Sequence, residues 1–222
     1  MDLGRRCEFH THTFFSDGCL SPVELVRRAF VLGDGVIALT DHVDFTNVEH
    51  VLKSQLKIKG EIDWDIDVLV GVELTHIPVG KIPKMVALAL GFGAEIVVGH
   101  GESPVEPVEE GTNHAYIASG VDVLAHPGRL TGEDARLARE NGVFIELTTR
   151  HGHRRGNRRV AAAAQEAGAK MIVDTDTHSP ENLITQEQAL KLALGSGLRR
   201  REALETVVEN PKRLLERLRN KN

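Results

Sequence analysis

At 222 residues, the chain is long enough to bury a substantial core, and we expect one domain over residues 1–222. Its net charge of −5 argues against a general nucleic-acid-binding protein, because such proteins gain affinity from Lys and Arg contacts to phosphates; a local basic patch stays open. Cys7 and Cys19 are too few for a disulfide framework and fit a reducing compartment. We therefore expect a cytoplasmic protein with no signal peptide and no membrane span.

Seven short apolar runs predict β-strands that are covered on both faces. In chain order they are RCEFH (6–10), GVIALT (35–40), DVLVGVE (67–73), EIVVGH (95–100), DVLAH (122–126), VFIEL (143–147) and KMIVDT (170–175).

Helical patterns separate the strands. The first, SPVELVRRAFVLG (21–33), has Ser21 as N-cap, Pro22 at the first helical position and Gly33 at its end. The others are IPKMVALALGFG (82–93), TNHAYIASG (112–120), TGEDARLARENG (131–142), RRVAAAAQEAG (158–168), ITQEQALKLALGSG (184–197) and REALETVVENPKRLLERLR (201–219). This alternation implies right-handed βα units and a parallel sheet. Both an open doubly wound sheet and a closed barrel fit the pattern.

Histidines and carboxylates collect where these strands end. A single histidine there is more often structural than a metal ligand. Six histidines and several carboxylates at one end of a parallel sheet would form a costly, mutually repelling cluster unless cations neutralised it. The sequence therefore predicts a multinuclear metal centre at the C-terminal ends of the strands. The residues are His10, His12, Asp41, His42, Glu73, His100, His126, Asp176 and His178.

The spacing of the first and last pairs favours a barrel. His10 and His12 are two residues apart on a strand, so both side chains can reach one ion, and Asp176 and His178 repeat this geometry. An open sheet would not generally bring the two pairs together, whereas closure into a seven-stranded barrel makes the first and last strands neighbours. Imidazole and carboxylate donors suit Zn, Mn or Fe, and their number calls for two or three ions.

The ordered motifs HTHTFFSDG, TDH, GVE, GH, AHPG and DTDTH resemble those of the PHP (polymerase and histidinol phosphatase) family of metal-dependent phosphoesterases. The resemblance runs from His10 to His178 and implies a distorted (β/α)7 barrel with a di- or trinuclear centre at its C-terminal face. It implies three sets of ligands: His10, His12, Glu73 and Asp176 for one ion, Glu73, His100 and His126 for a second, and Asp17, His42 and His178 for a third. Asp41, beside His42, is expected to orient an imidazole.

The resemblance also implies a reaction, in which hydroxide formed from metal-bound water hydrolyses a phosphomonoester of a small metabolite. Asp17, Glu73 and Asp176 would then belong to the catalytic centre. Arg150 begins an arginine-rich segment after the sixth strand (TTRHGHRRGNRR, 148–159) and is our first candidate for a phosphate clamp; Arg129 is the second. A solvated basic loop is the competing interpretation of that segment.

Two features stay unassigned. The acidic loop GHGESPVEPVEEGTNHAYI (99–117) fits either a substrate-specificity loop or a solvated surface loop. Five histidines match no ligand position of the family: His50, His76, His114, His151 and His153.

Three other functions stay open. A nuclease or phosphodiesterase is supported by the arginine-rich segment and opposed by the net charge. A metal amidohydrolase is the second, because its barrel also begins with an HxH motif. Those proteins resemble eight-stranded barrels with a single terminal Asp, whereas this chain has seven predicted strands and a DxH motif. A non-catalytic scaffold in RNA processing would resemble relatives that have lost their ligands, whereas all nine positions are filled here.

Overall fold

The computed structural model describes residues 3–221, in which eight parallel strands alternate with helices. The strands are β1 (Arg6–Glu8), β2 (Asp34–Leu39), β3 (His42–Val43), β4 (Asp67–Leu74), β5 (Ile96–His100), β6 (Val123–Ala125), β7 (Phe144–Thr148) and β8 (Met171–Asp174). The helices are α1 (Pro22–Leu32), α2 (Val48–Lys59), α3 (Ile82–Gly91), α4 (Thr112–Ala118), α5 (Gly132–Asn141), α6 (Asn157–Ala167), α7 (Gln186–Gly195), α8 (Arg200–Leu204) and α9 (Asn210–Arg219).

All seven predicted strands are present. The two-residue strand β3 is an addition, and helix α2 was not predicted. Helix α2 buries Val48, Val51 and Leu52 on one face against the strands. In α1 the predicted N-cap is confirmed, since the Ser21 hydroxyl accepts a hydrogen bond of 3.2 Å from the Glu24 N–H.

The strands form a nearly closed parallel barrel in the order β1-β2-β4-β5-β6-β7-β8, with β3 extending the pairing along β4. A parallel β-bridge between Thr11 and Thr177 joins the segments that follow the first and last strands. It is made by the His12 N–H donating to the Thr177 carbonyl at 2.8 Å and by the Thr177 N–H donating to the His10 carbonyl at 3.3 Å. The closed barrel is therefore confirmed over the open sheet.

Carboxylates complete the seam below this bridge. The Phe9 N–H donates to Asp174 Oδ1 at 2.9 Å, and the Thr175 N–H donates to Glu8 Oε1 at 3.0 Å. Side-chain oxygens thus take the place of backbone carbonyls where β1 and β8 are not directly paired.

Helix α9 closes the opposite end of the barrel. Leu214 and Leu218 are buried in the interior cluster that includes Phe9 and Ile172. The Asn210 side chain also donates to the Met171 carbonyl at the start of β8, at 2.9 Å. With this end plugged by apolar side chains, the C-terminal ends of the strands are left for the polar residues.

Candidate metal centre

The extended segments beyond β1 and β8 bring the two predicted pairs face to face. His10 and His12 follow β1, and alternate residues of an extended chain point to the same side. Asp176 and His178 lie on the partner segment, next to the bridging residue Thr177. His10, His12 and Asp176 are all buried. The HxH and DxH motifs therefore meet, as barrel closure predicted.

The first group of donor atoms surrounds the Glu73 carboxylate. Glu73 Oε2 lies 3.2 Å from His10 Nε2 and 3.4 Å from His12 Nε2. Asp176 Oδ1 lies 3.1 Å from His12 Nε2. Donors bound at ~2.0–2.1 Å to one ion are separated by ~2.9 Å at an octahedral edge and ~3.4 Å at a tetrahedral edge. The observed separations fit a shared divalent cation.

The second group shares Glu73. Its other oxygen, Oε1, lies 3.5 Å from His126 Nε2, and donor atoms of Glu73, His100 and His126 all lie within 4.8 Å of one another. Glu73 therefore presents one oxygen to each group, which is the arrangement of a bridging carboxylate.

The third group lies nearer the surface. Asp17 Oδ1 is 3.5 Å from His42 Nε2 and 3.1 Å from His178 Nε2. A donor atom of His12 also lies within 4.8 Å of the donor atoms of Asp17, His42 and His178. The sequence did not predict that His12 would belong to this group. The Asp17 carboxylate is 59% exposed, so this group is open to solvent.

The donor atoms lack the hydrogen bonds that buried polar atoms normally make. His10 Nε2, His12 Nε2, both Glu73 oxygens and Asp176 Oδ1 are buried, and although some of these atoms lie 3.1–3.4 Å apart, none of them makes a hydrogen bond. Unsatisfied buried polar atoms are rare and costly, at ~1–3 kcal/mol each. Cations at the centre would satisfy all five atoms together, so the donor set fits the metal that the sequence predicts.

Glu73, Asp17 and His12 are in the protonation states that cation binding requires. Burial raises the pKa of Glu73, but the imidazoles of His10 and His42 outweigh this and hold it well below its usual value. Asp17 is also partly buried, yet its contacts with His178 and His42 lower its pKa to about 2. Burial, reinforced by the nearby His42, lowers the pKa of His12 to about 3. At neutral pH these carboxylates are therefore anionic and His12 is neutral, as metal ligands must be. Burial lowers the pKa of His10 and of His42, but Glu73 outweighs this and raises both, so a cation must displace a proton from these two imidazoles.

The backbone is strained at two of these residues. His126 has φ of 29° and Asp176 has φ of 53°, in the left-handed region that non-glycine residues rarely adopt. Such strain collects at functional sites, where the surrounding structure holds it in place.

Neighbouring side chains orient the imidazoles. Glu146 Oε2 lies 2.6 Å from His10 Nδ1, and both residues are fully buried. Thr75 Oγ1 lies 2.6 Å from His42 Nδ1. Glu146 was not predicted, although a carboxylate inside the apolar run VFIEL was the available signal. Glu146 leaves His10 Nε2 to face the centre, whereas His42 Nδ1 also lies 2.9 Å from Glu73 Oε2.

The expected role of Asp41 is wrong. Its carboxylate accepts hydrogen bonds from the Thr13 N–H at 2.7 Å, the Ser16 hydroxyl at 2.8 Å and the Gln55 amide at 3.0 Å. Asp41 therefore holds the loop that carries Asp17, instead of an imidazole. The sequence neighbour His42 is oriented by Thr75 because its ring projects towards β4.

The two candidate arginines differ in position. Arg150 lies at the edge of the centre, with Nε 3.8 Å from Asp176 Oδ2 and Nη1 3.5 Å from Asn182 Oδ1. Arg129 is exposed and has no ion-pair partner within residues 3–221. Arg150 is thus close enough to meet a ligand of the centre, while Arg129 stays a prediction.

Three residues that the sequence left unassigned also lie beside the centre. Glu106, from the acidic loop, has Oε2 2.8 Å from His100 Nε2 and Oε1 3.2 Å from His153 Nε2. His76 Nε2 lies 3.8 Å from the same carboxylate. The acidic loop therefore reaches the centre and is not merely a solvated loop.

Comparison with known proteins agrees with the geometry. A sequence model described as PHP domain matches residues 8–173. The uncharacterized protein MJ1295 of Methanocaldococcus jannaschii is 52% identical over 217 residues, which cover 96% of this chain and 100% of the relative. The probable phosphatase TTE1963 of Caldanaerobacter subterraneus subsp. tengcongensis is 27% identical over 241 residues, which cover 100% and 95%.

Two solved structures share the fold. Histidinol phosphate phosphatase from Lactococcus lactis, complexed with zinc, L-histidinol and phosphate, superimposes with a TM-score of 0.63 at 14% identity, covering 88% of this chain and 95% of that one. A chain of archaeal ribonuclease P with mature tRNA superimposes with a TM-score of 0.69 at 15% identity, covering 95% and 91%. Within residues 3–221, no helix is both long and apolar enough to cross a membrane.

Proposed function

The chain belongs to the PHP domain family, and on that premise we propose that it hydrolyses phosphomonoesters of small metabolites at the centre described above. The observation that carries the proposal is the set of buried donor atoms without hydrogen-bond partners on His10, His12, Glu73 and Asp176. A phosphoesterase needs such atoms to bind divalent cations. A non-catalytic scaffold would gain nothing from keeping these donor atoms buried and unsatisfied.

We assign the ligands as the resemblance implied. His10, His12, Glu73 and Asp176 hold one ion; Glu73, His100 and His126 hold a second; Asp17, His42 and His178 hold a third. The donor separations and the two-sided Glu73 carboxylate support this assignment. Zinc, manganese or iron suits the imidazole and carboxylate donors. Bound cations supply Lewis acidity, which makes a coordinated water more acidic and offsets the negative charge of a phosphoryl group.

The protein's own side chains then bind and position the ester. Arg150 is placed to donate hydrogen bonds to phosphoryl oxygens from the edge of the centre, and its guanidinium is held there by Asp176 and Asn182. Arg129, which is exposed, is the second proposed phosphate contact. Glu146 and Thr75 keep the rings of His10 and His42 fixed, so that the ligands need little reorganisation.

The experiment that tests this function is a screen of phosphorylated metabolites with Mn and Zn added separately, with phosphate release as the readout. Histidinol phosphate is one compound to include, because the L. lactis structure contains L-histidinol and phosphate. We expect metal-dependent release from at least one phosphomonoester and none after chelation. Release that is unaffected by chelation would contradict the proposal. The two free cysteines fit a reducing compartment, so we propose the cytoplasm as its location.

A nuclease is the second candidate, because one surface feature supports it. Arg154, Arg155 and Arg158 line a groove beside α7, and none of them has an ion-pair partner within residues 3–221. The fold shared with the ribonuclease P chain is consistent with this candidate. Faster hydrolysis of single-stranded oligonucleotides than of phosphomonoesters would favour it.

A further inference from the structure

A groove lined by arginines lies beside the centre and contains none of the nine proposed ligands. Arg154, Arg155 and Arg158 line this arginine groove, which has a volume of about 380 Å³ and lies between the start of α6 and the end of α7. None of the three guanidinium groups forms an ion pair within residues 3–221. The arginine groove therefore concentrates positive charge on a protein whose net charge is −5.

Two contacts hold the start of α6 next to the centre. The buried Asn157 side chain donates to the Thr148 carbonyl at 2.8 Å and accepts from the Thr148 N–H at 3.3 Å, so α6 begins at the C-terminal end of β7. Gly156 lies against Gly128 in the loop that follows the proposed ligand His126, where an added Cβ would be 2.9 Å from Gly128 Cα. The start of the arginine groove is therefore held at the same end of the barrel as the donor atoms.

Arginines continue from the edge of the centre into the groove. Arg150 Nε lies 3.8 Å from Asp176 Oδ2. The Arg154 N–H donates to the Arg150 carbonyl at 3.1 Å, so these two residues are neighbours across the turn. Arg158 follows one helical turn later, and its Nε donates to the Gly195 carbonyl at 3.4 Å. A ligand that contacts Arg150 at the centre can therefore extend to Arg154 and Arg158.

This arrangement of charge is unfavourable without an anion. Arg154 and Arg158 are four residues apart, as are Arg155 and Arg159, and like charges at this spacing repel each other on a helix. Arg158 and Arg159 also lie in the first turn of α6, where the helix dipole disfavours cations. A phosphate group in the arginine groove would offset both effects, because guanidinium groups donate charge-assisted hydrogen bonds to phosphate oxygens.

The lining of the arginine groove fits a small phosphorylated compound better than a nucleic-acid strand. Sites for single-stranded nucleic acids combine positive charge with aromatic side chains on which bases stack. This groove has no aromatic lining residue, since its other lining residues are Asn157, Leu192, Gly195 and Ser196. Its volume of about 380 Å³ also falls within the ~300–1,000 Å³ that is typical of small-molecule sites.

We propose that the substrate is a small bisphosphate, whose second phosphate group binds in the arginine groove. At the centre, a water oxygen forms a bond to the first phosphorus and the bond from that phosphorus to the ester oxygen breaks. The two protons of the water are shared between the product alcohol and the released phosphate. The second phosphate group stays esterified and accepts hydrogen bonds from Arg154 and Arg158. This subsite rests on the proposed phosphomonoesterase function and names the class of substrate for it.

The test uses alkanediol bisphosphates, which carry a phosphate group at each end, in a series from ethanediol to octanediol. Each one, and the alkyl monophosphate of the same chain length, competes with the phosphomonoester that the metabolite screen identifies. The inhibition constant Ki then measures the affinity of each compound for the metal-loaded protein. We expect at least one bisphosphate to have a Ki ~10–100-fold below that of its monophosphate, because hydrogen bonds from a charged donor to a phosphate contribute a factor of this size.

Variants locate the source of this preference. Arg154→Ala and Arg158→Ala should each raise Ki for that bisphosphate and remove most of its advantage over the monophosphate. Arg159→Ala is the matched control, because Arg159 is exposed on the same helix but does not line the arginine groove. It should keep the full preference for the bisphosphate.

Equal Ki values for every bisphosphate and its monophosphate overturn the subsite. A preference that survives in both Arg154→Ala and Arg158→Ala, or that Arg159→Ala removes to the same extent, also overturns it, because the arginine groove would not be its source. Tighter competition by single-stranded oligonucleotides than by any bisphosphate, lost in the same two variants, would assign the groove to nucleic acid instead. If the wild type with metal releases phosphate from no compound of the metabolite screen, the proposed function itself is wrong and this inference falls with it.

Discussion

Removing the carboxylate of Glu146 should weaken metal binding without touching a ligand. In Glu146→Ala, His10 Nδ1 loses a buried partner at 2.6 Å, and the ring is no longer held with Nε2 towards the centre. The nearby carboxylates Glu73, Glu146 and Asp176 raise the pKa of His10 well above its usual value, although burial opposes them. Glu146 thus makes the His10 imidazole more basic, which strengthens it as a ligand once a cation has displaced its proton.

The size of the effect follows from this contact. Loss of a carboxylate that supports a metal-bound imidazole typically lowers metal affinity ~10–100-fold, which corresponds to ~1.4–2.7 kcal/mol of binding free energy. We expect the upper part of that range for Glu146→Ala, because the contact is short and excluded from solvent. Glu146→Gln keeps a hydrogen-bond acceptor but no charge, so its loss should be smaller.

The assay is competition between the protein and a chromophoric chelator for Zn or Mn, which measures affinity independently of turnover. Asp122→Asn is the matched control, because Asp122 is a buried acid at the opposite end of the barrel, paired with Arg217. It should reduce stability but leave metal affinity unchanged. Wild-type affinity in Glu146→Ala would refute the claim that Glu146 supports a ligand.

Three further predictions concern other parts of the molecule. Asp17→Asn should remove one bound ion per chain and leave the others, as measured by elemental analysis, because Asp17 contacts only the third donor group. Leu214→Ala should lower the free energy of unfolding by ~2–5 kcal/mol in denaturant titrations without changing metal affinity, because this side chain fills the closed end of the barrel. Burial raises the pKa of Asp34 to about 7 despite the nearby Arg6, so the folded state binds the proton more tightly than the unfolded state. Stability should therefore fall between about pH 4 and pH 7, and Asp34→Asn should flatten this decline in pH-dependent melting curves.

The barrel and the donor set could be predicted because both are encoded by local patterns. Buried parallel strands are continuous apolar runs, and polar residues directly after them must gather at one end of the sheet. The spacing of His10 and His12, and of Asp176 and His178, then favoured a barrel in which the first and last strands meet. In the structure, the Thr11–Thr177 bridge joins the two segments that carry these pairs.

Contacts across loops could not be predicted in this way. Glu106 and His153 are far apart in sequence, and only the packing of Pro104 and Val105 against glycines of other loops brings them together. Asp41 was assigned to the wrong partner because sequence proximity to His42 says nothing about the direction of its side chain. Its carboxylate points towards Thr13 and the following loop.

Helix α2 was missed for a different reason. Its buried face has only Val48, Val51 and Leu52 as apolar residues, and the polar Gln55 completes it by donating to Asp41 at 3.0 Å. A polar residue on the buried face hides the helical period that hydrophobic residues would otherwise show.

The most direct test of the central claim is the number of metal ions bound per chain. Purified protein would be supplemented with Mn or Zn, freed of excess metal and measured by elemental analysis alongside His10→Ala. We predict two or three ions in the wild type and fewer in the variant, because His10 is a fully buried ligand of the first ion. Fewer than one ion per wild-type chain after supplementation would contradict the metal centre and favour a non-catalytic scaffold.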